Sequence, residues 1–279
     1  MFKRKYLDLV ILQYKPVSDQ NKNIEQIDYL INKSNINKYS CVVCPELSIQ
    51  DYFCITKNKN NFLNAITLNS KSLTSLKNIS SKYKIYLCVT IFEKSKYKYY
   101  NTALIFNPSG EVIKKYRKKN IPSELCYEEK YYFNTPSNDY QFFSIDDFKI
   151  GILICWDQWH SQAYQSLKKK AVDCIICPTA IGTCKYNNSK IQIKEEKKKW
   201  INVIEANSLM INTPVVTVNR IGTEKQSNKQ INFWGMSFIT DSHGTTNTTS
   251  TVKQNVIKQR ILKKDAISAK KMWNFVDIA

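Results

Sequence analysis

Two short segments of one form, Cys41-Val42-Val43-Cys44-Pro45 and Cys174-Ile175-Ile176-Cys177-Pro178, constrain this chain more than any other feature. Each is an apolar run built on β-branched residues, the pattern of a short buried strand. Each is stopped by proline, which has no N–H to give to a ladder. Their recurrence points to two similar halves. Two stacked sheets covered by helices is the layered arrangement such halves favour. The same pairs also have the C-x-x-C spacing of a zinc site. A zinc knuckle needs a tight turn between its cysteines, whereas Val-Val and Ile-Ile hold a strand, where positions i and i+3 face opposite sides. The reading is core, with no metal.

The segments between them alternate in period. Leu9 to Leu12 reads as a strand, and Ile24, Ile27, Leu30 and Ile31 carry helical spacing. Leu73, Leu76 and Ile79 mark a second helix, and Ile85 to Phe92 a long apolar strand. Ala103 to Phe106 runs into the turn Asn107-Pro108-Ser109-Gly110, with Val112-Ile113 returning. Residues 117–136 are polar and irregular, a long loop of the kind that carries function. Further on, Phe148 to Ile154 predicts a strand, Ala163 to Leu167 a helix, Ile193 to Met210 a long helix and Val215 to Val218 a strand. Phe233 to Thr240 and a partner after Gly244 predict a hairpin. With no linker rich in Pro, Gly or Ser, the whole of 1–279 reads as one domain.

The chain carries nine cysteines, an odd number, and they read as free thiols in a reducing compartment rather than a disulfide framework. No apolar run approaches the ~20 residues that cross a bilayer. Met1-Phe2-Lys3-Arg4-Lys5 has the charge of a signal peptide's first region, but the stretch from Leu7 to Leu12 is interrupted by Asp8, so no leader is expected. The predicted location is cytoplasmic. The net charge of +19 raises the possibility of a nucleic-acid-binding protein. Its lysines are spread along the chain, and the densest runs, Lys168 to Lys170 and Lys197 to Lys199, fall on expected helices as solvated faces. Neither nucleic acid nor membrane is an expected partner.

Cys155 differs from the other cysteines. It closes the strand Gly151 to Ile154, and Trp156-Asp157-Gln158-Trp159 turns the chain towards a helix. A cysteine there lies at the sheet end, near helix N-terminal amides that favour a thiolate. Glu46 follows an apolar strand, where burial raises a carboxyl into the general-base range. Lys118 follows the strand at 111–116. Base, cation and thiol at three strand ends form a candidate nucleophilic site.

The residues Cys155-Trp156-Asp157-Gln158-Trp159 resemble the nucleophile motif of the nitrilase, or carbon–nitrogen hydrolase, superfamily. Pro45-Glu46-Leu47 is similar to that family's general-base segment, Tyr116-Arg117-Lys118 to its lysine segment and Glu129-Lys130-Tyr131-Tyr132-Phe133 to the loop bearing its second glutamate. Pro178-Thr179-Ala180-Ile181-Gly182 and Asn219-Arg220-Ile221-Gly222 resemble the carbamoylputrescine branch in particular. The resemblance implies a four-layer αββα sandwich of two mixed β-sheets flanked by helices, assembled into a homo-oligomer. It implies Cys155 as nucleophile, Glu46 as base and acid, Lys118 with the backbone N–H of Trp156 as oxyanion partners, and Glu129 orienting Lys118. It implies a small carbamoyl-amine substrate and no metal or organic cofactor.

Relatives that act on carbamoyl amino acids carry arginines just after the nucleophile, where this chain has Gln158 and Trp159. Asp157 or Glu128 is therefore expected to receive a cationic amine, and Trp159 and Tyr127 to line a methylene chain. The alternatives are a carbamoyl-β-alanine or ω-amide hydrolase, or a basic nucleic-acid-binding protein that keeps the fold. Four features depart from the family pattern: Asn120 stands where His is common, His160-Ser161-Gln162 replaces aromatic-Pro-Glu, Asn187 to Lys194 is polar, and little follows Trp273.

Overall fold

The computed structural model describes residues 4–184, 190–249 and 251–272. Positions 1–3, 187–189 and 273–279, on which parts of the readings above fall, lie outside the described residues. In chain order, β1 (Tyr6–Gln13), α1 (Gln20–Lys33), β2 (Cys41–Val43), α2 (Lys71–Tyr83), β3 (Tyr86–Ser95), β4 (Lys98–Phe106) and β5 (Val112–Arg117) make the first half. After the short helix α3 (Glu129–Tyr132) come β6 (Gln141–Ile145), β7 (Phe148–Ile152), α4 (Ser161–Lys169), β8 (Cys174–Thr179), β9 (Gly182–Cys184), α5 (Lys190–Ile211) and β10 (Val215–Asn219). Strands β11 (Ile221–Gln226), β12 (Lys229–Trp234), β13 (Phe238–Thr240), β14 (Thr246–Thr249) and β15 (Asn255–Leu262) and helix α6 (Lys263–Met272) complete the order.

The two repeated segments are equivalent in space. One sheet runs β15-β1-β2-β3-β4-β5 and the other β6-β7-β8-β10-β13-β14. In the first, β2 lies between two parallel neighbours, β1 and β3, and the next pairing, β3 with β4, is antiparallel. In the second, β8 lies between parallel β7 and β10, and β10 pairs antiparallel with β13. The outer strands β15 and β6 both run antiparallel to their neighbours. Strands β11, β12 and β9 form a small third sheet.

Side-chain alternation assigns the layers. Along β1, Leu7, Leu9 and Ile11 enter the core shared with Ile150, Ile152 and Ile175 of the second sheet. Val10 and Leu12 face the opposite way, onto Ile24, Ile27, Leu73 and Leu76 of α1 and α2. Cys41 and Cys44 fall in these two different clusters, as the strand geometry requires. On the other side, Trp200, Ile204 and Ile211 of α5 pack onto the second sheet. The result is the four-layer αββα sandwich. Asp19 caps α1 by accepting from the N–H groups of Asn21 and Lys22, and Ser70 caps α2.

The structure corrects several sequence expectations. The strand expected over 233–240 is two strands in different sheets. Gly235 (φ 60°) and Met236 (φ 52°) turn the chain between them, and periodicity does not register such a corner. Strand β7 ends at Ile152, two residues early. Strand β15 has no apolar run to announce it, because one face of Lys258-Gln259-Arg260 is at the surface. The expectation that every cysteine is a free thiol is also corrected. Cys126 and Cys184 form a disulfide, and seven cysteines are free and buried. The bonded pair comes from the irregular 117–136 loop and the short strand β9, not from the apolar strands that hold most of the others. Among the described residues no helix is long and apolar enough to cross a membrane. No group of three or more His, Cys, Asp or Glu side chains among them could hold a metal ion.

Trp200 is fully buried, meets Trp234 at a tilt and Phe238 edge-on, and donates from Nε1 to Gln158 Oε1 at 2.9 Å. Trp200→Ala is expected to lose about 3–5 kcal/mol in a urea titration. Trp200→Phe, which keeps most of the volume, should lose less.

Candidate active site

The first sheet supplies two of the charged groups. Glu46 follows β2 and Pro45, and its N–H donates across the seam to Thr179 O at the end of β8 (3.3 Å). Lys118 follows β5 and is tied by its N–H to Asn101 O on β4 (2.8 Å). The second sheet supplies the thiol. Cys155 opens a single 3₁₀ turn, Cys155–Trp159, between β7 and α4, with φ of 43°. A residue with a β-carbon is strained at such an angle, and strain of this kind collects at functional sites. Two side chains hold the elbow in place. Asp157 Oδ2 accepts from Ile154 N (3.0 Å) and the Tyr116 hydroxyl (2.8 Å), and its Oδ1 accepts from Asn120 N and Nδ2 (2.8 and 2.9 Å). Gln158 donates from Nε2 to Cys155 O at 2.8 Å.

The structure brings Glu46, Lys118, Glu129 and Cys155 together. Lys118 Nζ donates to Glu46 Oε1 at 2.8 Å and to Glu129 Oε2 at 2.6 Å, and all three side chains are inaccessible to solvent. Burial alone would lower the Lys118 pKa, but Glu129 and Glu46 outweigh it and hold the amine well above its ordinary value. Burial pushes Glu129 up to about 7, against the Lys118 ammonium and the Tyr52 hydroxyl. Two carboxylates share one ammonium in a dry site, so the proton on Glu129 is held near neutrality. Glu46 Oε1 also accepts from Asn101 Nδ2 at 2.7 Å, while Oε2 has no hydrogen-bond partner among the described residues.

The sequence leads one to expect helix amides to favour a resting thiolate. Instead, burial first and the Glu46 carboxylate second push the Cys155 thiol well above its ordinary range, and Lys118 only partly opposes them. The resting sulfur keeps its proton and donates it to Ala180 O at 3.7 Å. A thiol in this state must give up its proton to a base before its sulfur can attack.

Cys155 opens on a cavity of about 230 Å³. Trp156, Trp159, Tyr127, Ile181 and Trp234 give it largely apolar walls, and Glu124, Glu196 and Lys199 also border it. Lys199 thus belongs to the cavity, although its run reads in sequence as a solvated face. The Tyr127 hydroxyl donates to Gly182 O (3.0 Å) and accepts from Gly182 N (2.9 Å), and the neighbouring Cys126–Cys184 disulfide ties the same two segments. Two residues expected at the substrate lie elsewhere. Asp157 is fully buried with both oxygens engaged by the elbow, and Glu128 is paired with Lys57 and Lys229 at 3.5 and 3.8 Å. Neither borders the cavity.

Sequence reading does not pick out Asn101, Tyr52 or Glu224 as site residues, and marks Asn120 only as a departure from the family pattern and Arg220 only as part of a family-like stretch. Asn101 left a trace, since an amide in the run Tyr100 to Phe106 is a polar group in a buried strand. Asn120, in place of the family's histidine, is the residue that clamps Asp157.

The sequence profile of the carbon–nitrogen hydrolase family matches residues 9–270. The chain is 28% identical to the citrullinase of Francisella tularensis subsp. tularensis over 239 residues, 85% of this chain and 82% of that protein. It is 27% identical to the N-carbamoylputrescine amidase of Solanum tuberosum over 247 residues, 87% and 81% of the two chains. Its fold superposes on a carbon–nitrogen hydrolase from Helicobacter pylori G27 with a TM-score of 0.92, 24% identity and coverage of 98% and 95%. Nit3 of Saccharomyces cerevisiae gives 0.80 at 18% identity, with coverage of 98% and 96%.

As pH falls through about 7, Glu129 takes up a proton and loses the charge that holds Lys118. The kcat/KM profile should therefore fall on its acid side with an apparent pKa near 7, belonging to the coupled cluster. Cys126→Ser, which frees the cavity wall, is expected to raise KM with little change in kcat. Steady-state kinetics across pH check both.

Proposed function

Because the chain belongs to the carbon–nitrogen hydrolase family, we propose that it hydrolyses the carbamoyl group of a carbamoylated amine, with N-carbamoylputrescine as substrate. The observation that carries the chemistry is the division of labour on Glu46. One oxygen is fixed by Lys118 and Asn101, and the other has no hydrogen-bond partner among the described residues. That second oxygen takes the proton of the Cys155 thiol as sulfur attacks the carbamoyl carbon. The charge developing on the carbonyl oxygen meets the Lys118 ammonium and the N–H of Trp156, which precedes the first hydrogen bond of its turn, Asp157 N to Ile154 O. One such preorganised donor contributes about 3–4 kcal/mol. Glu46 returns the proton to the first departing nitrogen, then draws one from water attacking the thioester-like intermediate and passes it to the leaving sulfur, freeing a carbamic acid that breaks down to carbon dioxide and the second amine. The sum is carbamoylputrescine and water to putrescine, ammonia and carbon dioxide.

The tail is assigned from the cavity. Aromatic walls suit a methylene chain, and Glu124 and Glu196 supply negative charge for a terminal ammonium. Lys199 favours a second reading. It stands three residues after Glu196 on α5, neighbouring positions on a helix surface, so the pair offers one charge of each sign. Such a pair suits the zwitterionic head of citrulline, and the named relatives include a citrullinase. A cytoplasmic place in polyamine formation and assembly into a homo-oligomer belong to the same proposal.

Ammonia release should be greatest with N-carbamoylputrescine in a panel that includes citrulline, carbamoyl-β-alanine and an ω-amide. Dominant turnover of citrulline that collapses in Lys199→Ala would replace the first reading with the second. Mass spectrometry of chain mixed with substrate should find an adduct on Cys155, absent in Cys155→Ala. The turnover of that variant should fall by more than about 10³-fold.

A further inference from the structure

Behind the catalytic groups lies a second buried cluster that the reaction above does not use. Arg220, directly after β10, is fully buried. Its Nη1 donates to Glu46 O (3.1 Å), and its Nη2 donates to Gln50 O (3.2 Å) and Glu224 Oε1 (2.6 Å). Glu224 Oε2 accepts from the backbone N–H of Tyr52 (2.5 Å). The Tyr52 ring meets Phe233 and Tyr127 edge-on at 5.5 and 5.8 Å, and its hydroxyl donates to Glu129 Oε1 (2.6 Å). With Lys118 between Glu129 and Glu46, these bonds close a ring: Arg220, Glu224, Tyr52, Glu129, Lys118, Glu46 and back to Arg220.

In the ring Tyr52 joins the Arg220–Glu224 pair to Glu129, one of the two carboxylates that hold Lys118, while Arg220 reaches the other, Glu46, through its backbone oxygen. Glu129 receives two donors on two different oxygens, Lys118 on Oε2 and Tyr52 on Oε1, so its plane is fixed. We propose that Tyr52 is a positioning residue of the hydrolase. Its backbone is anchored by Glu224, itself held by Arg220 of the second half, and its hydroxyl keeps Glu129 oriented so that Lys118 stands ready for the oxyanion. A donor to the charged form of a carboxyl favours that form. The other groups acting on Glu129 or acted on by it are Lys118 after β5, Glu46 after β2, Cys54 after Tyr52, Tyr127 on the loop before α3 and Cys155 on the elbow. Glu46 opposes ionisation of Glu129 and Lys118 favours it. Burial, the largest influence, also opposes ionisation, and the Tyr52 hydrogen bond adds a smaller contribution on the side of Lys118.

This inference rests on the hydrolase chemistry but not on the identity of the amine, and its test needs no substrate. The full chain is labelled at the glutamate side-chain carboxyl carbon, and Glu129 is followed through pH by carbon NMR, with Glu129→Gln identifying its resonance. Tyr52→Phe keeps the ring and removes the hydroxyl. It should raise the Glu129 midpoint by roughly one pH unit, the size expected for losing one hydrogen bond to a charged group. Tyr127→Phe loses a hydroxyl from the ring beside Tyr52 and should leave that midpoint in place. On whichever carbamoyl compound the wild type turns over, Tyr52→Phe should lower kcat about 10- to 100-fold, the range known for partners behind a metal ligand. It should also move the acid side of kcat/KM upward, with KM little changed. An unchanged midpoint in Tyr52→Phe, or an equal rise in Tyr127→Phe, overturns the proposal. Absence of turnover on carbamoyl amines would count against the substrate reading and leave the NMR result to decide this one.

Discussion

Everything in the site depends on one ammonium buried between two carboxylates. Removing Lys118 from water is costly, and only the short bonds to Glu46 and Glu129 make it tolerable. Those bonds in turn need Asn101, Tyr52 and the Arg220–Glu224 pair to satisfy what Lys118 leaves unsatisfied. The sandwich around them has little freedom. Strands β2, β5 and β7 must end at one level for Glu46, Lys118 and the sulfur to meet, with Glu129 brought in by α3, and the shared core between the sheets fixes that level. A buried charge cluster of this kind is poor at adding stability. Its value is that the field at Cys155 is set before any substrate arrives.

How much of this was legible in the sequence depended on whether the signal was local. Glu46 and Cys155 stand at the ends of apolar runs and Lys118 after the strand at 111–116, so their places could be read from pattern, and the repeat of Cys-Val-Val-Cys-Pro and Cys-Ile-Ile-Cys-Pro foretold the doubled sheet. The role of Glu129 came only through resemblance, because nothing in Glu128-Glu129-Lys130 distinguishes the buried carboxylate from its exposed neighbours. The two adjacent glutamates have opposite fates: Glu129 has no accessible surface and Glu128 pairs with surface lysines. Tyr52 and Glu224 were beyond reach. They are 172 positions apart, and no local pattern records such a contact.

The charge of the nucleophile shows the same limit. From position alone, Cys155 at a strand-to-helix turn suggests a thiolate steadied by helix amides. The observed turn is one short 3₁₀ segment, with a sulfur that burial and Glu46 keep protonated. In the proposed reaction, reactivity therefore comes from a neighbouring base and not from a permanently acidic thiol. The other free cysteines that titrate are likewise buried, with their pKa values raised chiefly by burial and no base assigned to them.

The two equivalent half-sheets carry a consequence for how the enzyme comes into being. Glu46, Tyr52 and Lys118 belong to the first half, whereas Cys155, Arg220 and Glu224 belong to the second. The first half by itself holds an acid, a phenol and an amine but no Cys155, and even its sheet is completed by β15 from the second. The thiol comes with the elbow after β7 and the Arg220–Glu224 pair with β10 and β11, so neither half by itself holds the whole cluster.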